Sequence, residues 1–318
     1  MKIRILEQSE HRRFFDLSSE HGSIFTWEKW VSMYGDHAVL VGLFREDETF
    51  IGGMVFYATR MKGFRSLITP PFAPHCGLFW IDQGITNAAR WNSFVKEVSG
   101  NVASFLKNSG YAFVKVELPP AIGDVQPFLW SRLHVLPRYT YQMDLKKDEE
   151  MLRNHLDSRT RSVLNKAGRE EFTVSTDASP ETIEKFIETT LGRSGSHTPT
   201  YLVKEIVKRF GDAENALMLC IHMAGEPVGA AICLSDKTSA YYLLSGYDRE
   251  ARSNAIMTFG VWNSILWARK RELNCFDFEG SMIPDIEKFF RGFGADLVPY
   301  YTIMGGNRIL VALFRWLK

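Results

Sequence analysis

An α/β fold arranged as two tandem units with mixed sheets is what this sequence predicts, on three observations. Its 318 residues are long for one hydrophobic core and suit two of ordinary size. A repeat is visible: IGDVQPFL (122–129) and IPDIEKFF (283–290) share the pattern Ile-x-Asp-[Val/Ile]-x-x-Phe-x. Each half also alternates apolar, strand-like runs with long helical stripes, the pattern that gives strands parallel neighbours.

The elements follow in order. FIGGMVFY (50–57) reads as a strand entered through a turn. Trp91, Phe94, Val98, Val102 and Phe105 recur at helical spacing, and Asn108-Ser-Gly110 supplies a stop. YAFVKVEL (111–118) is a strand, 122–129 a short helix and VLPRYTY (135–141) a final strand. The second half repeats this series. PVGAAICL (227–234) is the strand; Ala255, Phe259, Trp262 and Leu266 form the stripe; NCFDFE (274–279) is the next strand. LVPYYTI (297–303) closes it, with Pro299, Tyr301 and Thr302 matching Pro137, Tyr139 and Thr140. The expected division is 1–145 and 146–318. The charged stretch 146–170 is read as connecting helices that add no apolar core before Phe172.

Composition excludes several classes. With 45% hydrophobic and 24% charged residues the chain is not disordered, and a net charge of +1 excludes a histone-like surface. Cys76, Cys220, Cys233 and Cys275 are scattered without a CxxC pair, which reads as free thiols in a reducing compartment. The eight histidines, His197 among them, form no HExxH or Cys/His cluster, so no metal site is expected. P-loop and GxSxG motifs are absent. MKIRILEQSEHRRFF breaks into charge too early for a signal peptide, and no apolar run is long enough to span a bilayer. A cytoplasmic location is expected, with peripheral membrane contact left open.

One stretch concentrates chemistry: FDFEGSMIPDIEKFFRGFG (276–294). Alternation puts Phe276 and Phe278 on one strand face and Asp277 and Glu279 on the other. Two acids at the C-terminal end of a strand occupy the place where open α/β sheets form ligand crevices. Ile286, Phe289, Phe290 and Phe293 share a helix face, with Ser281 upstream, Pro284 in the first turn, and Gly292 and Gly294 at the exit. Lys288 and Arg291 lie off that face, Lys288 reading as solvated. For the acids two readings stand open, candidate bases or carboxylates holding backbone and cations. Tyr242 falls in a strand and Tyr247 just past its end. The turn-rich loop GRSGSHTP (192–199) reads as a connector rather than a lid.

The runs YYLLSGYD (241–248), WARK (267–270), FDFEGS and EKFFRGFG resemble the C-terminal half of FemAB-type acyltransferases, kin of the GNAT N-acyltransferases. Trp27, Trp30, PPFAPHCGLFW (70–80) and RYTYQMDL (138–145) extend the resemblance over nearly the whole chain. It implies two GNAT-like domains and transfer of an acyl or aminoacyl group to an amine of a cell-wall or surface-polysaccharide precursor. It implies no permanently bound cofactor, with aminoacyl-tRNA or acyl-CoA as donor and a small molecule or nucleotide-sugar-peptide as acceptor. By the same resemblance Phe290 and Arg291 stand where Fem-type enzymes place an aromatic residue and a cation. RTRSVLNKA (159–167), with Arg161 and Lys166, stands for the phosphate-binding segment. Asp277, Glu279 and Arg291 are then the catalytic candidates, and Arg161, Lys166, Tyr242, Tyr247, Phe290 and Gly292 the substrate-binding ones. In one respect the chain departs from ordinary GNAT enzymes: YDREARSNAIM (247–257), at the start of the second long helix, has no glycine to let backbone amides approach a coenzyme A pyrophosphate. CoA-dependent N-acetylation of an amino sugar or small amine, and a degenerate pair that only binds, remain the alternatives.

Overall fold

The computed structural model describes residues 1–193, 199–251, 253–280 and 282–315. Ser281, Arg252, His197 and most of the 192–199 loop therefore lie outside the described residues. Two compact units form, one from residues 1–138 with 299–318 and the other from 139–298.

Unit 1 contains β1 (Lys2–Ile5), α1 (His11–His21), α2 (Glu28–Val31), β2 (Ala38–Phe44), β3 (Phe50–Met61), β4 (Phe64–Ile68), β5 (Phe79–Trp80), α3 (Ala88–Asn108), β6 (Phe113–Glu117) and α4 (Gln126–Trp130). β7 (His134–Asp144) leads into unit 2. There follow α5 (Glu149–His155), α6 (Ser158–Ala167), β8 (Phe172–Ser175), α7 (Pro180–Arg193), α8 (Tyr201–Phe210), β9 (Ala216–Met223), β10 (Glu226–Ser235), β11 (Ser239–Tyr247), α9 (Ala255–Lys270), β12 (Cys275–Asp277) and α10 (Pro284–Arg291). β13 (Asp296–Gly306) returns the chain to unit 1, where α11 (Arg308–Arg315) follows.

The repeat in the sequence is a repeat in topology. In unit 1, β2, β3 and β4 form an antiparallel meander, and β4 pairs in parallel with β6 after α3. In unit 2, β9, β10 and β11 form the same meander, and β11 pairs in parallel with β12 after α9. The parallel step follows from the helix, since a crossover is needed to start two neighbouring strands at the same end. Both sheets are thus mixed, as predicted. The strand completing each sheet comes from the other end of the duplicated series. Residues 142–144 of β7 pair antiparallel with β12, and residues 302–306 of β13 pair antiparallel with β6.

Each unit has its own core. Unit 1 packs Val98, Val102 and Leu106 of α3 against Val41, Met54, Phe56 and Val114 of the sheet. Unit 2 packs Val261, Trp262 and Ile265 of α9 against Leu219, Ala231, Tyr242 and Phe276. Two expectations need correction. Leu152, Leu156 and Leu164 of α5 and α6 are buried in this core, so core-building starts well before Phe172. α9 buries Ala255, Ile256, Thr258, Gly260, Val261, Ser264 and Ala268, so it is enclosed on more than one side rather than striped.

Candidate active site

The sheet of unit 2 opens between β11 and β12. Their ladder lasts three residues: Ser239 pairs with Cys275, Ala240 with Phe276 and Tyr241 with Asp277. β11 then continues to Tyr247 along β10, so Tyr247 is its last residue rather than one beyond it. β12 ends at Asp277, and the chain turns away through Glu279 (φ 57°) and Gly280 (φ 65°). Only glycine suits the second of these: the left-handed backbone disfavours a side chain, and a Cβ would lie 2.2 Å from the Tyr139 carbonyl oxygen. In unit 1 the matching opening is filled by the chain itself. The Cys76 amide donates to the Glu117 carbonyl (2.8 Å), and its carbonyl accepts from the Val55 amide (2.9 Å). β5 lies against Gly52 and Gly53 of β3, where a Cβ on Gly52 would meet the Phe79 carbonyl oxygen at 2.1 Å.

The two acids at the opening in unit 2 are both buried, in different surroundings. Asp277 accepts hydrogen bonds from the Thr140 hydroxyl (2.6 Å), the Gln142 amide nitrogen (2.8 Å) and the Glu279 backbone amide (2.7 Å). Burial raises its pKa, and these three donors oppose the rise. Glu279 Oε1 is buried with no hydrogen-bond partner, and burial, followed by the charge of Asp277, pushes its carboxyl well above the usual range. The Tyr242 hydroxyl is likewise buried, with the Ser245 side chain near it. Tyr242 faces Cys233 across the β10–β11 ladder, and the Cys233 thiol is pushed up to about 12, chiefly by burial and also by the charge of Glu279. A carboxyl, a phenol and a thiol, each with its ionised form disfavoured by burial, thus lie in one neighbourhood.

A cavity of about 350 Å³ opens in the same unit where the starts of α6 and α9 meet one side of α10. Asp157, Arg159, Thr160 and Val163 come from the start of α6, Asn254 and Thr258 from the start of α9, and Asp285, Lys288 and Phe289 from α10. Asp157 caps α6 by accepting from the Thr160 amide, whereas Asn254 makes no side-chain cap on α9. Arg159 and Lys288 are exposed, and neither is ion-paired among the described residues. Its size falls in the range of small-ligand sites. Arg159, Lys288 and the amino ends of α6 and α9 favour an anion here, while Asp157 and Asp285 of the same lining oppose it.

The remaining candidates are distributed as follows. Phe290 is buried, edge-on to Tyr242 (6.3 Å) and beside Phe278 (5.3 Å). Arg291 is largely exposed and reaches Glu287 at 3.3 Å, while Glu287 also accepts from the Tyr141 hydroxyl. Gly292 lets α6 approach closely, since a Cβ there would meet Thr160 Oγ1 at 2.4 Å. Arg161 donates to the Asn154 and Leu156 carbonyls, and Lys166 pairs with Glu170. Tyr247 lies under the Arg193 guanidinium and lines a separate groove with Lys185 and Asp248. The sequence reading did not single out Arg159, Asn254 or Thr258. A signal existed for Arg159: it lies in the first turn of its helix, whereas Arg161 falls where its own chain offers carbonyls.

Residues 152–288 match the acetyltransferase (GNAT) domain family. No curated protein matches the sequence. Among solved structures, FemX shares 14% identity over 98% of this chain and 99% of its own, with a TM-score of 0.63. L-PGS from Bacillus licheniformis shares 12% over 97% and 95%, with a TM-score of 0.59. A tandem GNAT protein from the clavulanic acid biosynthesis pathway shares 10% over 96% and 98%, with a TM-score of 0.51. At these identities the three likenesses speak of fold. The GNAT domain match over residues 152–288 supports an acyltransferase.

Proposed function

We propose that this chain transfers an acyl group from a phosphate-bearing donor to an amine, with unit 2 holding donor and reacting groups. The observation that carries this reading is the cavity where the starts of α6 and α9 meet α10, with Arg159 and Lys288 at its edge and in no ion pair among the described residues. A GNAT domain implies an acyl-CoA donor, and the cavity supplies side-chain cations where the glycine-free loop 248–254 cannot offer bare backbone. The same loop favours a second reading, in which the donor is aminoacyl-tRNA. The acceptor would be an amine on a cell-wall or surface-polysaccharide precursor, in keeping with the FemX-like fold.

In the reaction the amine nitrogen attacks the acyl carbonyl carbon, a C–N bond forms, and the bond to the donor's sulfur or oxygen breaks. Glu279, whose protonated form burial favours, would give its proton to the departing group, and the resulting carboxylate would take one from the ammonium just formed. Asp277 is already engaged by three donors; its part is to hold the turn that aims Glu279. The test is acyl transfer from acetyl-CoA, and separately from charged tRNA, to a panel of amines. Replacing Arg159 and Lys288 by Ala should raise the donor KM about tenfold or more, since charge-assisted contacts are worth roughly 1.5–3 kcal/mol each. An unchanged donor KM would refute the assignment of the cavity.

A further inference from the structure

A surface of unit 1 far in sequence from these groups has no explanation in the transfer reaction. α11 is apolar on both sides. Leu310 and Val311 are buried in a small cluster with Phe113, Met304 and Met61. Ile309 and Leu313, four residues apart on the other side, are 77% and 47% exposed. Through Met61 the tip of the β3–β4 hairpin packs on the cluster that holds Leu310 and Val311. Met61 and Phe64 face each other across that hairpin and so share a face, and Phe64 is 47% exposed. A helix with apolar residues all round is ordinarily enclosed, and among the described residues this one is covered on one side only.

The two segments that form this surface carry charge of one sign. Residues 58–68 and 304–313 contain Arg60, Lys62, Arg65 and Arg308 and no Asp or Glu, and all four cations are exposed. Such a rim opposes a second copy of the same face, because like charges would be brought together. It complements a negative surface, into which Phe64, Ile309 and Leu313 would insert while the cations meet headgroups. We infer that α11 and the β3–β4 hairpin dock unit 1 on a membrane surface rich in anionic lipid. No helix among the described residues is long and apolar enough to cross a membrane, so the contact is with one leaflet. This inference is independent of the donor and acceptor.

Cosedimentation with vesicles tests it. The full chain should pellet with vesicles of phosphatidylcholine and phosphatidylglycerol in a 3:1 ratio, and at least tenfold less with phosphatidylcholine alone. The I309D/L313D and F64D variants should each lose at least tenfold in apparent affinity for the anionic vesicles. Their melting temperature should stay near that of the parent, because the changed side chains are exposed. Raised salt should weaken binding of the parent. Failure of the parent to pellet, or equal binding by variants, overturns the proposal. So does a concentration-dependent dimer of the parent that I309D/L313D abolishes without the parent binding vesicles, since the occupant would then be a second copy.

Discussion

Glu279 is the residue on which the chemistry turns, and its burial has a measurable consequence. In the unfolded chain this carboxyl loses its proton in the ordinary range; in the folded chain burial keeps the proton to higher pH. The folded state therefore binds more protons above that range, and stability falls as pH rises, by about 1.4 kcal/mol per pH unit until Glu279 ionises. Glu279→Gln should flatten this part of the profile and raise the urea midpoint at neutral pH, while transfer falls at least a hundredfold. Parallel stability profiles in the two proteins would show that the carboxyl titrates normally. His75 of unit 1 has the opposite sign. Burial holds its pKa down to about 4 from 6.5, and the ring accepts a hydrogen bond from the Gly77 amide. Stability should be lost as pH drops from about 6.5 to 4, by up to about 3 kcal/mol, and His75→Asn should remove that dependence. An acid limb unchanged in the variant would assign the loss to other groups.

At the scale of elements, the sequence showed more of the fold than of the site. Period-2 and period-3.6 patterns marked the strands and long helices because apolar faces must be buried whatever the partner. The repeated short helix was legible because Ile-x-Asp-[Val/Ile]-x-x-Phe recurs: Phe128 of α4 is buried and Phe289 of α10 partly so, while Ile283 and Ile286 are exposed. The end of β12 was not legible. Alternation extended it to Glu279, but the left-handed Glu279-Gly280 turn ends it at Asp277, and nothing local in the sequence demands that turn. Arg161 and Arg159 differ only in the direction each leaves α6, which depends on how the helix sits on the core through Leu164 and Ala167. Close packing of α7 on β11 gives a prediction at this scale. A Cβ on Gly246 would lie 2.0 Å from the Phe186 carbonyl oxygen, backbone that cannot rotate aside. Gly246→Ala should cost about 2–3 kcal/mol, read as a lower denaturant midpoint. A midpoint within experimental error of the parent would mean that α7 is free to move off the strand.

For the whole molecule, duplication explains why one copy carries the proposed chemistry. Both units repeat the meander, long helix and parallel strand. In unit 1 the backbone of Cys76 and β5 fills the place where β4 leaves the ladder. In unit 2 the ladder simply ends, and the buried Glu279 Oε1 is left without a hydrogen-bond partner. One donor should therefore bind per chain, not two. Titration calorimetry with acetyl-CoA measures this most directly. The account predicts a single site per chain, with affinity reduced at least tenfold in R159E/K288E and an unchanged melting temperature. Two sites per chain, or full affinity in that variant, would contradict it.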